Sequence, residues 1–426
     1  MSELQHKTLI PPAHPLRGKV RLPGSKSITN RALLLAALAR GTTRLTGALK
    51  SEDTACMAQA LRAMGVAIVE TDDTSFTVSG TGRLKAPAHP LAIGNAGTAA
   101  RFLTAAAATV DGVVVVDGND HMRRRPIRPL VSALQTLGVE ITDTDGCLPV
   151  TVRGSGGFRG GAVEVDGGLS SQYLSALLML GACADDVTRI RLRDPQIGAQ
   201  GYVGLTVALM TRFGASVRLE GPGAWSVDPT GYRAVDLAIE PDASAATYMW
   251  AAEALTGGQI DLGTAADACT QPDARACRLI AAFPHLPPVI DGSQMQDAVP
   301  TLAVLAAFNH TPVRFTGISN LRVKECDRIA ALANGLERIA PGLAAVSGDD
   351  LTVFGDPALG GSRPCRIDTV SDHRIAMSFA LAGLRLGGIA ILEPSCVAKT
   401  YPGYWDDLSS LGVLFEAPEQ PAAVSV

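Results

Sequence analysis

The sequence is short of most features that announce a macromolecular partner. Only 4% of its 426 residues are aromatic, and 37 Lys+Arg against 41 Asp+Glu leave a formal charge of −4. With few stacking platforms and no net positive field, neither nucleic acid nor an anionic membrane is an expected partner. No stretch approaches the 18 apolar residues of a membrane span, and even TAAAATVDGVVVV is interrupted by Asp111. The N-terminus, MSELQHKTLIPPAHPLRG, carries charges and prolines where a secretory signal needs a continuous apolar run, so a cytoplasmic protein is expected. The eight cysteines include no CxxC pair and no close Cys/His cluster. Zinc and a disulfide framework are therefore not indicated, and reduced, mostly buried thiols are expected. PGSKS fails as a nucleotide-binding P-loop because Ser25 separates Gly24 from Lys26, and no strand-linked GxGxxG, GxSxG or HExxH occurs. Lysine itself is scarce, with Lys26, Lys324 and Lys399 among only seven.

What is present is a repeat. The length leads one to expect two or three domains, and 47% hydrophobic residues suffice for sizeable cores. One kind of segment, a small polar or charged start followed by an Ala/Leu-rich helix and a β-like run, begins at Asn30, Thr98, Ser171, Ser244, Asp297 and Asp372. Between copies lies a second, more amphipathic helix with glycine near its end, as in RPLVSALQTLGVEIT. Each unit therefore reads as strand, helix, strand, helix, strand, strand. The first helix is apolar almost all round, as a buried helix should be. Six units suggest two domains of three, dividing within residues 227–242, and the Pro-rich AAFPHLPPVIDG marks the fourth unit as trimmed.

Polar and cationic residues gather where the buried helices begin: PGSKSITNR, GNAGTAAR, GGLSSQY, EPDASAAT, SQMQDAVP and SDHR. A helix N-terminus offers unpaired N–H groups and partial positive charge, so several converging on one cleft make an anion site. Helix capping accounts for any one of these segments alone. It does not account for six with Lys26, Arg31, Arg101 and Arg374 embedded in them. HMRRRPIRP adds Arg123, Arg124, Arg125 and Arg128. NLRVKECDR sets Glu325 beside Lys324, a pairing suited to proton transfer when it lies inside an anion site.

These motifs together resemble the 5-enolpyruvylshikimate-3-phosphate synthase family of enolpyruvyl transferases, through LPGSKSITNRALLLAALA, GNAGTAAR, RRRPI, DGGLSSQYLSALLM, DASAA, QDAVPTLA, NLRVKECDRI, SDHRIAM and CVAKTYPGYW. The resemblance implies an α/β fold of two similar domains, each of three βαβαββ units around buried parallel helices, an inside-out α/β barrel. The domains would be 22–235 and 1–21 plus 236–426, with the active site in the cleft between them. It implies transfer of the enolpyruvyl group of phosphoenolpyruvate to the 5-hydroxyl of shikimate 3-phosphate, on the route to chorismate and aromatic amino acids, by a monomer without cofactor or metal. Carried over residue by residue, shikimate 3-phosphate would be held by Lys26, Ser27, Arg31, Ser170, Ser171, Gln172, Tyr202, Asp297, Asn320 and Lys324. Phosphoenolpyruvate would meet Lys26, Asn95, Gly97, Arg125, Gln172, Arg328, Arg374 and Lys399. Asp297 would take the hydroxyl proton, Glu325 would donate or relay a proton to the methylene carbon, and Lys26 would stabilise charge.

The chain also departs from the family pattern. Ala199 in IGAQGY stands where the family usually has a phosphate-binding serine, leaving Gln200 or a backbone N–H as the expected substitute. Cys326 replaces a common threonine, and Gly97 implies sensitivity to glyphosate, which Phe102 could shift. UDP-N-acetylglucosamine enolpyruvyl transferase, the nearest alternative, would have a cysteine in the loop that here reads GNDHMRRRP. A noncatalytic polyanion binder would not need Asp297 and Glu325 beside Lys26 and Lys399.

Overall fold

The computed structural model describes residues 6–195 and 197–417. Twelve α-helices occur in it, in order α1 (Lys26–Leu38), α2 (Glu52–Ala63), α3 (Gly97–Ala106), α4 (Arg128–Thr136), α5 (Ser171–Gly181), α6 (Gln200–Arg212), α7 (Ala243–Thr256), α8 (Ala276–Ile280), α9 (Val299–Ala306), α10 (Arg328–Ile339), α11 (His373–Ala382) and α12 (Tyr404–Ser410). The odd-numbered helices are the six buried ones of the repeat. In α3, α9 and α11 every residue is buried, because alanine and leucine surround the whole circumference and leave no face for water. The even-numbered helices include the amphipathic α4 and α10, which bury one side only. α8 is the shortest, as the proline-rich fourth unit leads one to expect.

Each complete unit folds one small sheet over its buried helix. In the second unit Leu91–Ala92 runs parallel to Asp111–Asp117, which pairs antiparallel with Cys147–Ser155, which in turn pairs with Glu140–Thr144. The third and fifth units repeat this order with Gly161–Val165 and Val289–Asp291 as their first strands. Three glycines show the repeat at atomic scale. A Cβ on Gly80 would lie 2.3 Å from the carbonyl of Ala36, one on Gly154 2.0 Å from that of Val110, and one on Gly355 2.4 Å from that of Asn309. In each case the end of the returning strand, or a residue just beyond it, lies on the carbonyls at or just past the end of a buried helix, where no side chain fits.

The first and sixth units differ from a purely local repeat. The first strand of the first unit comes from the far end of the third: Tyr232–Arg233 and Leu237–Ala238 run parallel to Ala39–Thr46. The sixth sheet is completed by the N-terminal His6–Ile10, which pairs with Gly387–Leu392 and Leu414–Phe415. Arg17–Lys19 supplies the partner of Gln259–Asp261 in the trimmed fourth unit.

Buried apolar residues form two clusters. One runs from Ile28 to Ile239; the other takes Leu9, Leu16, Val20 and Leu22 together with residues from Ala245 to Val413. α3 packs on α1 and α5 in the first, and α7, α9 and α11 pack on one another in the second. The changeovers lie between Leu22 and Ile28 and between Ile239 and Ala245. All eight cysteines are free thiols of intermediate exposure, so none is as buried as the composition suggested.

Candidate active site

The N-termini of the buried helices face the boundary between the two clusters, and the capping chemistry there is uneven. Ser25, Ser170, Asp242 and Asp372 accept hydrogen bonds from the first-turn N–H groups of α1, α5, α7 and α11. α3 and α9 begin after Ala96 and Ala298 with no side-chain cap. Asp242 also binds α1, accepting from the Lys26 N–H at 3.1 Å across the boundary.

One wall of the cleft is a pocket lined by Ser27, Arg31, Ser170, Ser171, Gln172 and Tyr202 from the first cluster's side, with Gln296, Asp297 and Lys324 opposite. Arg31 is 2% exposed and donates to Thr206 Oγ1 (2.7 Å), Ser27 O (3.0 Å) and Ser175 Oγ (3.3 Å), all uncharged. Burial without a carboxylate pushes its pKa down to about 10, so the guanidinium is a buried cation short of a counter-ion. Burial likewise lowers Lys324 to about 8, with Asp297 acting in the opposite direction. Tyr202 crosses the boundary, its hydroxyl donating to Asp273 Oδ2 at 2.6 Å.

Beside this pocket the charges interlock. Asp297 receives Arg374 Nη2 at 2.7 Å and Arg328 Nη1 at 3.0 Å. Glu325 receives Arg328 Nη2 at 2.8 Å and lies 3.3 Å from Lys399 Nζ and 3.9 Å from Arg125 Nη1. Burial alone would raise both carboxyls. For Glu325, Lys399, Arg328 and Arg125 reverse that and hold it well below the usual range. For Asp297, Arg374 and Arg328 do the same, helped by Lys324 and Lys26. Lys399 Nζ donates to the Asn95 carbonyl at 2.7 Å, and Lys26 Nζ lies 3.8 Å from Asp53. Gly97, the first residue of α3, touches the same group: a Cβ there would be 2.8 Å from Arg125 Nη1. Arg125 Nε and Nη1 and the side-chain oxygens of Asn95 and Asn320 have no hydrogen-bond partner among the described residues. Buried polar atoms left this way are expected where a polar ligand completes the network.

The residues expected from sequence are therefore brought to one cleft, through direct contacts or a shared pocket wall. Gln172 links the two regions by donating to Thr98 Oγ1 at 3.2 Å. Of the expected substitutes for the missing serine, Gln200 does not line the pocket and two of the backbone N–H groups are taken. Gln200 is exposed, its N–H donates to Gln294 Oε1, and the Ala199 N–H donates to Ser293 O. Sequence reasoning also missed Asp372, which is fully buried and accepts from Arg328 Nε at 2.8 Å, fixing the guanidinium that joins Asp297 to Glu325. The aspartate in SDHR was legible only as a helix cap. Asp53 beside Lys26 and Asp273 beneath Tyr202 were missed too, since their partners come from distant segments.

Paired α/β clusters, a cleft of cations on both sides and two carboxylates among them are the equipment of an enzyme acting on small anionic molecules. The chain belongs to the EPSP synthase (3-phosphoshikimate 1-carboxyvinyltransferase) family, matching it over residues 10–282 and 286–408. It is 64% identical to the 3-phosphoshikimate 1-carboxyvinyltransferase of Rhizobium leguminosarum bv. trifolii (strain WSM2304) over 98% of this chain and 99% of that protein. It is 63% identical to that of Pseudomonas savastanoi pv. phaseolicola (strain 1448A / Race 6) over 95% of this chain and 97% of that protein. Among solved structures, EPSP synthase from Acinetobacter baumannii superposes with a TM-score of 0.77 at 26% identity, covering 97% of this chain and 100% of that one.

Proposed function

We propose that the chain transfers the enolpyruvyl group of phosphoenolpyruvate to the 5-hydroxyl of shikimate 3-phosphate, releasing phosphate. The observation that carries this reading is the adjacency of two anion sites. Arg31 and Lys324 stand in one pocket, Arg125, Arg328 and Lys399 surround Glu325, and Asp297 lies between them. Shikimate 3-phosphate takes the first site, with Ser27, Ser170, Ser171, Gln172, Tyr202 and Asn320. Phosphoenolpyruvate takes the second, with Lys26, Asn95, Gly97, Gln172 and Arg374, where arginine forks match its phosphate and carboxylate.

The anionic groups of phosphoenolpyruvate compete for the same cations that hold Glu325 ionised, so its binding lifts the Glu325 pKa and lets that carboxyl carry a proton. Glu325 then protonates the methylene carbon. The 5-hydroxyl oxygen bonds to the adjacent carbon while Asp297 takes the hydroxyl proton, giving a tetrahedral adduct. As the carbon–oxygen bond to phosphate breaks, the Glu325 carboxylate takes a proton back from the new methyl group, restoring the double bond, and the proton on Asp297 leaves with the phosphate. Lys26 stabilises charge on the departing phosphate.

The two apolar clusters support a division into two domains close to 22–235 and 1–21 plus 236–426. A monomer in the cytoplasm goes with the same reading, as the family resemblance implies. The test is to combine the protein with both substrates and to omit each in turn. Phosphate release that requires both supports the reading; release from phosphoenolpyruvate alone, or none, overturns it.

A further inference from the structure

Gln296 immediately precedes Asp297, is 3% exposed, and lines the pocket that holds Arg31 and Lys324. Its carboxamide oxygen lies 3.4 Å from Lys324 Nζ, and its nitrogen donates to Ser293 O at 3.2 Å. A carboxamide nitrogen carries two protons; the second has no acceptor among the described residues. Ala199 presents a methyl group to the pocket, and the N–H groups of Ala199 and Gln200 are committed to Ser293 and Gln294. Their turn is shaped around the carboxamide, since a Cβ on Gly198 would fall 2.4 Å from Gln296 Nε2. Gly198 and Gln296 are thus a matched pair, the missing side chain of one making room for the other.

Resting on the function proposed above, we propose that Gln296 is a further binding residue for shikimate 3-phosphate, its carboxamide nitrogen donating to a phosphate oxygen beside Arg31 and Lys324. A phosphate presents more lone pairs than two cations can fill. A neutral donor supplies the additional hydrogen bond without adding another buried positive charge to a pocket already rich in them.

The test compares Q296A, Q296E and G198A with the parent enzyme. A hydrogen bond to a charged group sets the expected loss, so Q296A should raise KM for shikimate 3-phosphate about tenfold or more while KM for phosphoenolpyruvate moves less than twofold. Q296E, nearly isosteric, replaces the donor by an acceptor and should bind shikimate 3-phosphate more weakly still. G198A should give a similar loss by displacing the carboxamide. Shikimate, which lacks the phosphate, should bind Q296A and the parent equally in calorimetry, and A199S added to Q296A should recover part of the lost affinity. A parental KM in Q296A overturns the proposal, as does an equal loss of affinity for shikimate and its phosphate. If Q296A does not fold, the same comparison of the two ligands is made with Q296E. A parent enzyme that binds shikimate 3-phosphate but releases no phosphate with both substrates overturns the proposed function instead.

Discussion

Glu325 accepts a hydrogen bond from Arg328 Nη2 at 2.8 Å, and the guanidinium that provides it is itself locked by Asp372 and Asp297. Glu325 therefore cannot turn away from the cleft without leaving Arg328, which is 1% exposed, short of an ion-pair partner. A carboxylate fixed so tightly has a position suited to proton transfer and lacks only a proton until substrate competes for its cations. E325Q preserves the size and can still accept from Arg328, but it cannot exchange a proton. Turnover of E325Q and of E325A should fall by at least about a hundredfold, the scale of general acid–base catalysis. KM for phosphoenolpyruvate should not rise, because Arg125 and Lys399 lose a competing carboxylate. Turnover within a few-fold of the parent would remove Glu325 from the chemistry.

Gly97 sets the distance between α3 and the arginines. A Cβ there would lie 2.8 Å from Arg125 Nη1 and 2.9 Å from Arg101 Nη1. Arg101 is also tied to the Gly97 and Pro126 carbonyls, so Arg125, with two unpartnered nitrogens, is the group that moves. G97A should raise KM for phosphoenolpyruvate about tenfold or more, since small misplacements of a binding group weaken transition-state contacts steeply. It should leave KM for shikimate 3-phosphate nearly unchanged. Glyphosate, if it competes with phosphoenolpyruvate in the parent, should lose potency by at least the same factor. Initial rates with each substrate varied separately distinguish these effects.

Much of this was legible because the buried helices carry their own pattern. Alanine and leucine all round α3, α9 and α11, with polar starts, mark both the repeat and the ends that face the cleft. The strands that close the first and sixth units were not locally legible. Tyr232–Arg233 finds Ala39–Thr46 nearly two hundred residues away, and no short-range pattern encodes that pairing. Carboxylates partnered with cations were hidden similarly. Asp372 and Asp242 look like helix caps in sequence and are caps in the structure, yet each also binds a group from a distant segment. Gln296 carried no signal at all, because its meaning depends on the space left by Gly198 across the cleft.

Arg31 shows function set against stability. Its partners Thr206, Ser175 and the Ser27 carbonyl are neutral, so the protein alone leaves a desolvated charge in this pocket. A buried charge without an ion-pair partner bears a desolvation cost that no Coulomb attraction repays, and an apolar side chain of similar length does not bear it. R31M should therefore melt at or above the parent temperature in phosphate-free buffer and lose most of its affinity for shikimate 3-phosphate. Inorganic phosphate should raise the melting temperature of the parent more than that of R31M, because binding to the folded state alone stabilises it. A variant that melts far below the parent without phosphate would mean that Arg31 serves the fold first.

Lys324 makes the same conflict depend on pH. Burial brings its pKa down to about 8 from an ordinary 10.5, so the ammonium that faces the phosphate is lost as pH rises through about 8. KM for shikimate 3-phosphate should climb above that pH, approaching tenfold per pH unit, and binding there should take up a proton. Calorimetry in buffers of different ionisation enthalpy measures that uptake. K324R should keep KM flat to higher pH, because a guanidinium stays charged. The stability of the empty enzyme should run the other way. Between about 8 and 10.5 the unfolded chain holds more protons at this residue than the folded one, so its contribution to folding stability rises with pH. K324M removes both effects. Its difference from the parent should therefore show affinity falling and stability rising over the same interval, and parallel pH profiles for K324M and the parent would overturn the assignment.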